Sequence, residues 1–296
     1  MFEIKDVDKP TPLATEVVVA VRAIGTNPVE TYIRAGAIPL VKPPAILGWD
    51  ISGVVDVVAP GVNRFAVGDE VFGMPLFPRA AGAYAEYVAA PSRQLVKKPA
   101  GLDHVHAAAL PLAGLTAWQA LVDTARVQPG QRVLIHGGGG GVGHLAVQIA
   151  RALGAHVVAT ASAGKRDFVR GLGADEVIDY RAEDFARTVK DIDVVLELIG
   201  GDYGARSIDV LRPGGLLVTA VERSNAALAA KVTAAGRRFA GLTVEPDHVG
   251  LERLAALVVE GKLRVHVSHA LPLDEVARAH ALYASGGITG KIVLTV

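Results

Sequence analysis

The stretch from Arg132 to Gly154, RVLIHGGGGGVGHLAVQIARALG, runs from a short apolar strand through five consecutive glycines into an amphipathic helix. Val133, Leu134 and Ile135 read as a buried strand. Leu145, Ile149 and Leu153 recur at four-residue spacing, with Val142 on nearly the same face. Between strand and helix, Gly138, Gly140 and Gly143 supply the GxGxxG spacing. Glycine turns tightly at positive φ and lets an anion approach the backbone; a helix starting near Gly141 adds unpaired N–H groups and the positive end of its dipole. Periodic apolar flanks argue against a flexible linker. The expectation is a pyrophosphate cradle whose helix packs on a sheet.

Length and charge narrow the field further. The 296 residues allow about two domains, and 51% hydrophobic content is enough for sizeable cores. Thirty basic and thirty acidic residues cancel, which is not the footprint of a nucleic-acid binder. Cysteine is absent, excluding disulfides, thiolate nucleophiles and zinc held by sulfur. No apolar run reaches the ~18 residues of a membrane span, and MFEIKDVDKP alternates charges instead of opening a leader. A cytoplasmic protein without membrane partners is expected.

From Glu16 to about Lys98 the chain is a series of short β-branched runs broken by Gly and Pro, among them EVVVAVRAIG, ISGVVDVVAPG and DEVFGM. From His104 to Thr124 it is Ala- and Leu-rich, reading as helix. Strands then alternate with helices through VLIHG, VVATA, EVIDY, DVVLELIG and GLLVTAV, the pattern of a parallel sheet. FAGLTVEP at 239–246 is a sixth candidate strand, followed by the helix LERLAALVVEG and a closing strand, KIVLTV. The border falls near His106 to Leu110. This gives a β-rich domain at 1–109, to which 247–296 returns, and a dinucleotide-binding domain at 110–246.

The second strand of the alternating half, HVVATA, ends at Ala161 and Ser162, where an NAD site would carry an acid for the ribose 2′-OH. Lys165 and Arg166 follow instead. Cations in a helix's first turn oppose its dipole, and a 2′-phosphate reverses that sign, so NADP(H) is the expected cofactor; solvated surface residues are the alternative.

With these features, the chain resembles the zinc-independent quinone oxidoreductases, the zeta-crystallin-like branch of the medium-chain dehydrogenase/reductase superfamily. The resemblance rests on GTNPVETYIRAG at 25–36, GWDISGVV at 48–55, GDEVFG at 68–73, GAYAEY at 82–87, PLAGLTAWQAL at 111–121, GGGGGVG at 137–143, LGADEVIDY at 172–180 and GKIVLTV at 290–296. It implies an α/β chain joining a GroES-like β-rich domain to a Rossmann domain with a doubly wound parallel sheet. Where zinc-dependent relatives carry a cysteine and a Gly-His-Glu, this chain has GTNPVETY and Gly48, Trp49 and Asp50, and their cysteine-rich lobe is missing between Gly82 and Pro91. No metal is expected: His104 with His106, or His266 with His269, pair without further ligands.

By the same resemblance, Gly140 to Val142 and Thr116 lie near the pyrophosphate and nicotinamide. Ser162, Lys165 and Tyr180 form the 2′-phosphate set, with Arg166 as an additional member, and Lys291 lies close to the cofactor. Asn27 and Tyr32 line the acceptor site and steady the nascent oxyanion, beside an apolar slot at Trp49; Asp50 shapes a turn. Alternatives stand beside these roles: Thr116 bonding its own helix backbone, Asn27 as a turn residue, Tyr32 and Tyr180 as packing. The implied activity is hydride transfer from NADPH to a quinone, with reduction of α,β-unsaturated carbonyls, or nucleotide sensing with little turnover, as alternatives. Two departures are noted. Relatives carry a further strand before EIKDVDKP, and an arginine before the final Gly-Lys pair. A homodimer joined at 239–244 is expected by analogy.

Overall fold

A computed structural model describes residues 2–296. Along the chain come β1 (Glu16–Gly25), α1 (Pro28–Arg34), β2 (Asp50–Val58), β3 (Glu70–Gly73), β4 (Tyr87–Pro91), β5 (Leu95–Lys97), α2 (His104–Ala108) and α3 (Pro111–Trp118). The alternating stretch follows: β6 (Arg132–Ile135), α4 (Gly143–Ala152), β7 (His156–Ala161), α5 (Arg166–Gly171), β8 (Glu176–Asp179), α6 (Phe185–Thr188), β9 (Ile192–Glu197), α7 (Tyr203–Arg206), β10 (Leu211–Thr219), α8 (Ala226–Ala234) and β11 (Arg238–Gly241). Then come α9 (His248–Val259), β12 (Val267–Pro272), α10 (Val276–Ser285) and β13 (Lys291–Thr295).

The chain forms two compact units, one of residues 1–115, 245–261 and 265–296, the other of 116–244 and 262–264. The first division falls inside α3, beyond the 109/110 border read from the sequence. PLAGLTAW carries no helix breaker to mark it.

The first unit is built on a sheet ordered β12-β13-β1-β2-β3-β5, with β4 also paired to β1. β1 pairs antiparallel with β2, β4 and β13, and β-branched residues fill half of its positions: Val17, Val18 and Val19 are all fully buried. β13 lies between β1 and β12 in this sheet. β12 has no counterpart in the sequence reading. As an edge strand with one buried side chain, Leu271, it lacks the alternation that marks a half-buried strand.

The second unit carries a wholly parallel sheet ordered β11-β10-β9-β6-β7-β8, with Leu134, Val158, Val195 and Leu217 in its core. This is the doubly wound order, and its direction reverses between β6 and β9. Ligands of such sheets bind beyond the carboxyl ends of the strands at that switch point. Polar N-caps start several helices: Asp103 for α2, Asp184 for α6, Asn225 for α8 and Asp247 for α9.

Candidate functional site

Two polar constellations stand out, one in each unit. In the second unit, β6 ends into the glycine turn at the switch point. Gly137 has φ +67°, a conformation glycine adopts freely. Its N–H donates to Thr160 Oγ1 at 3.1 Å, while Gly138 N donates to Thr160 O at 2.9 Å and Gly140 N to Gly137 O at 2.9 Å. The turn thus hangs on Thr160 of β7, a residue the sequence reading did not single out. A Cβ built on Gly143 would lie 2.1 Å from Gly137 O, so no side chain fits there. The helix-start N–H groups around Gly141, Val142 and Gly143 are those a helix leaves for an anion, and the missing side chains leave room for it. The residues present fit a dinucleotide pyrophosphate.

Beside this turn, the carboxyl ends of β7 and β8 bring Ser162, Lys165 and Tyr180 to one edge of the sheet. Ser162 is half-buried and its carbonyl accepts from Lys165 N at 2.9 Å; Tyr180 N donates to Ala161 O at 3.3 Å. The Lys165 stem lies along the turn, its Cδ 2.8 Å from where a Cβ of Gly139 would be, and partial burial pulls its ammonium below the usual lysine range. Lys165 occupies a tight turn ahead of α5, and Arg166 is the first residue of that helix. Arg166 is placed otherwise than expected. Its guanidinium donates to Val177 O at 3.2 Å and approaches Glu183 at 3.8 Å, committing it to β8. Thr116 lies buried within α3.

Across the switch point, the buried carboxylate of Glu197 ends β9. Its Oε1 accepts from Ile199 N at 2.5 Å and Gly200 N at 2.6 Å, and its Oε2 from Thr219 Oγ1 at 2.9 Å. A carboxylate set inside the apolar run VVLELIG was the available signal.

In the first unit, Asn27 caps α1 and is only 3% exposed. Its Oδ1 accepts from Lys291 Nζ, and its Nδ2 donates to Asp50 Oδ2 at 3.0 Å. Lys291, 1% exposed, also donates to Thr26 O at 2.7 Å and stands 3.8 Å from Asp50. The sequence reading set Lys291 against the cofactor; in the structure its ammonium is enclosed and supports Asn27. Tyr32, also on α1, is 54% exposed, so the helix turns the two expected acceptor-site residues to different surroundings. Asp50 opens β2 instead of shaping a turn, and its Oδ1 accepts from Leu112 N at the start of α3 at 2.9 Å. Trp49 is buried, its indole donating to Arg79 O at 2.7 Å and packing edge-on against Phe77.

Glu30 extends this network. Its Oε2 accepts from Asn27 N at 2.6 Å and from Tyr84 OH at 2.7 Å, and Tyr84 OH lies 3.1 Å from His280 Nε2. The N-x-x-E spacing of Asn27 and Glu30 is the capping signal that could have revealed it. Burial pushes the Glu30 carboxyl up to about 7 against the bonds from Asn27 and Tyr84, and pushes Asp50 up to about 6 against the pull of Lys291. Lys291 is lowered by the same burial, and His280 is lowered to about 4 by burial and then by Arg34.

Among the described residues no group of three or more His, Cys, Asp or Glu is placed to hold a metal ion. His104 bonds Ser52 and Glu70, His106 bonds Asp103, and His269 bonds Ser268. No helix among the described residues is long and apolar enough to cross a membrane.

Comparison with known proteins adds a frame. Residues 13–100 match the alcohol dehydrogenase GroES-like domain family, and residues 172–294 the zinc-binding dehydrogenase family. A 2-haloacrylate reductase from a Burkholderia species is 37% identical over 298 residues, covering 92% of this chain and 88% of the relative. The quinone oxidoreductase of Coxiella burnetii superposes with a TM-score of 0.95 at 36% identity, covering 99% of this chain and 94% of the other. The Escherichia coli quinone oxidoreductase solved with NADPH gives a TM-score of 0.88 at 30% identity, covering 100% and 95%.

Two predictions follow from this geometry. Gly143→Ala forces its methyl against Gly137 O. It should cost at least about 2 kcal/mol of stability, read by denaturant titration, and abolish dinucleotide binding; an unchanged variant would contradict the turn described. A carboxyl whose folded pKa is raised contributes stability that is whole below about pH 4.5 and lost as pH rises through about 7. His280, lowered, runs the opposite way, gaining between about 4 and 6.5, so the comparison with Glu30→Gln isolates the carboxyl. The stability of the native chain relative to that variant should fall with rising pH by on the order of 2 to 3 kcal/mol. A flat difference would show that Glu30 titrates normally.

Proposed function

This chain belongs to the quinone oxidoreductase-like branch of the medium-chain dehydrogenase/reductase superfamily, and from that premise we propose that it is an NADPH-dependent reductase of quinones. It is an oxidoreductase acting on a small molecule. The observation that carries the finer reading is the Lys165 stem laid along the glycine turn, with Ser162 and no carboxylate at the end of β7.

In this reading the turn from Gly137 to Gly143 holds the pyrophosphate, while Ser162, Lys165 and Tyr180 hold the 2′-phosphate. Bound there, a reduced nicotinamide supplies hydride; hydride and a proton together convert a quinone to its hydroquinone. The exposed Tyr32 hydroxyl is the proposed donor to the acceptor oxygen as it gains charge. The Asn27 amide is held in place by Lys291 and Asp50. Holding the reactants in register supplies most of the rate. The open edge of β11 supports pairing with a second copy there.

Reduction of an activated carbon–carbon double bond is the second reading, favoured by the 2-haloacrylate reductase among the relatives. It needs the same cofactor, and side-by-side specificity constants for 1,4-benzoquinone and a 2-alkenal separate the two.

The purified protein mixed with NADPH and 1,4-benzoquinone should consume reduced-nicotinamide absorbance. Lys165→Ala should weaken NADPH by about tenfold and NADH by little, on the scale of one charge-assisted contact. Equal losses for both nucleotides would remove the 2′-phosphate reading, and no turnover with any quinone or alkenal would remove the activity.

A further inference from the structure

Glu197 is an expensive way to finish a strand. Its carboxylate is fully buried, and the bonds it accepts come from two backbone N–H groups and one hydroxyl, with no cation among them. Those bonds fix one feature: the path of residues 198–200 where β9 leaves the sheet. Thr219, which donates to Glu197 Oε2, does the same for β10, its Oγ1 accepting from Val221 N at 3.3 Å and Glu222 N at 3.0 Å. Two loops are thereby threaded onto two bonded side chains.

The loops display Ile199 and Val221, large apolar side chains that are 48% and 49% exposed. Ile199 Cδ1 stands 3.0 Å from where a Cβ of Gly137 would be, and Val221 Cγ1 stands 3.1 Å from that of Gly200. Ile199 thus meets the glycine turn and Val221 packs behind it on Gly200, an apolar wall that reaches the turn through Ile199. Lys165 touches the same turn at Gly139, from the β7 side. Because the sheet order places β9 and β7 on opposite sides of β6, Lys165 and the wall flank the turn from opposite directions. A dinucleotide with its pyrophosphate on the turn and its 2′-phosphate at Lys165 directs its other half across the switch point, toward Ile199 and Val221.

We propose that Glu197 is a positioning residue that holds Ile199 and Val221 as an apolar shelf under the nicotinamide half of the dinucleotide, and so governs affinity for that half alone. The inference rests on the NADPH reading above. Half-exposed aliphatic side chains gain by being covered, and a shelf does so only if its backbone does not drift. Two N–H groups and a hydroxyl bonded to one carboxylate provide that rigidity.

Equilibrium binding separates the two halves of the ligand. NADPH is titrated by fluorescence, and 2′,5′-ADP, which has the adenosine 2′-phosphate but no nicotinamide, by calorimetry. Glu197→Met and Ile199→Ala should each weaken NADPH about tenfold, the order expected for one lost apolar contact in a pocket. Both should leave 2′,5′-ADP within about twofold, and the double variant should bind NADPH no more weakly than Glu197→Met, because the two changes remove one interaction. Equal losses for both ligands, or losses that multiply in the double variant, overturn the proposal. If Glu197→Met does not fold, Thr219→Val removes the other anchor and must show the same selective loss. A native protein that binds neither ligand overturns the NADPH reading itself, and that result is read before any variant is made.

Discussion

The approach of Gly143 to the carbonyl of Gly137 leaves no room for a side chain and fixes the end of the sheet around it. With no side chain between them, α4 starts directly against the end of β6, and its first N–H groups stand at the switch point of the sheet. The neighbours are arranged by the same closeness. Thr160 of β7 takes the N–H of Gly137, the Lys165 stem lies on Gly139, and Ile199 reaches Gly137 from β9. Each contact exists because glycine leaves the backbone bare, so the turn is both the floor of an anion site and the piece against which three strands align their ends.

The first unit solves a different problem. Two carboxylates, an ammonium and an amide lie together out of water, where each ion alone would be costly. Lys291 offsets part of that cost for Asp50, and a helix start gives Asp50 a further N–H at Leu112. Burial still outweighs these gains, leaving both carboxyls easier to protonate than in water. Such a network contributes little net stability against an apolar core of equal volume. It does fix the Asn27 amide in one orientation, since Lys291 needs its oxygen and Asp50 its nitrogen.

Legibility in the sequence followed the range over which each signal acts. The glycine turn, the end of β7 and the alternation of strands and helices are local patterns, and they were readable. Residues whose part depends on distant partners were misplaced or missed. Lys291 in GKIVLTV reads by resemblance as a neighbour of the cofactor, and only the fold encloses it with Thr26 and Asn27, more than two hundred residues earlier. Arg166 reads as a free cation until β8 lies beside it. Thr160 and Glu197 stand inside strands, where a polar residue gives no clue to which loop it ties.

The pairing of Ala23 with Thr295 and Gly25 with Val293 has a bearing on how the chain is made. β13 is an interior strand, lying between β1 and β12, so the sheet gains β12 only once residues 291–295 have been made. The unit carrying the glycine turn is almost continuous in sequence. Pairings across such separations are slow to form because loop-closure entropy comes first. Emerging from the ribosome, the chain would therefore complete its middle before its first unit, whose β1 has β2 and β4 beside it but still lacks β13.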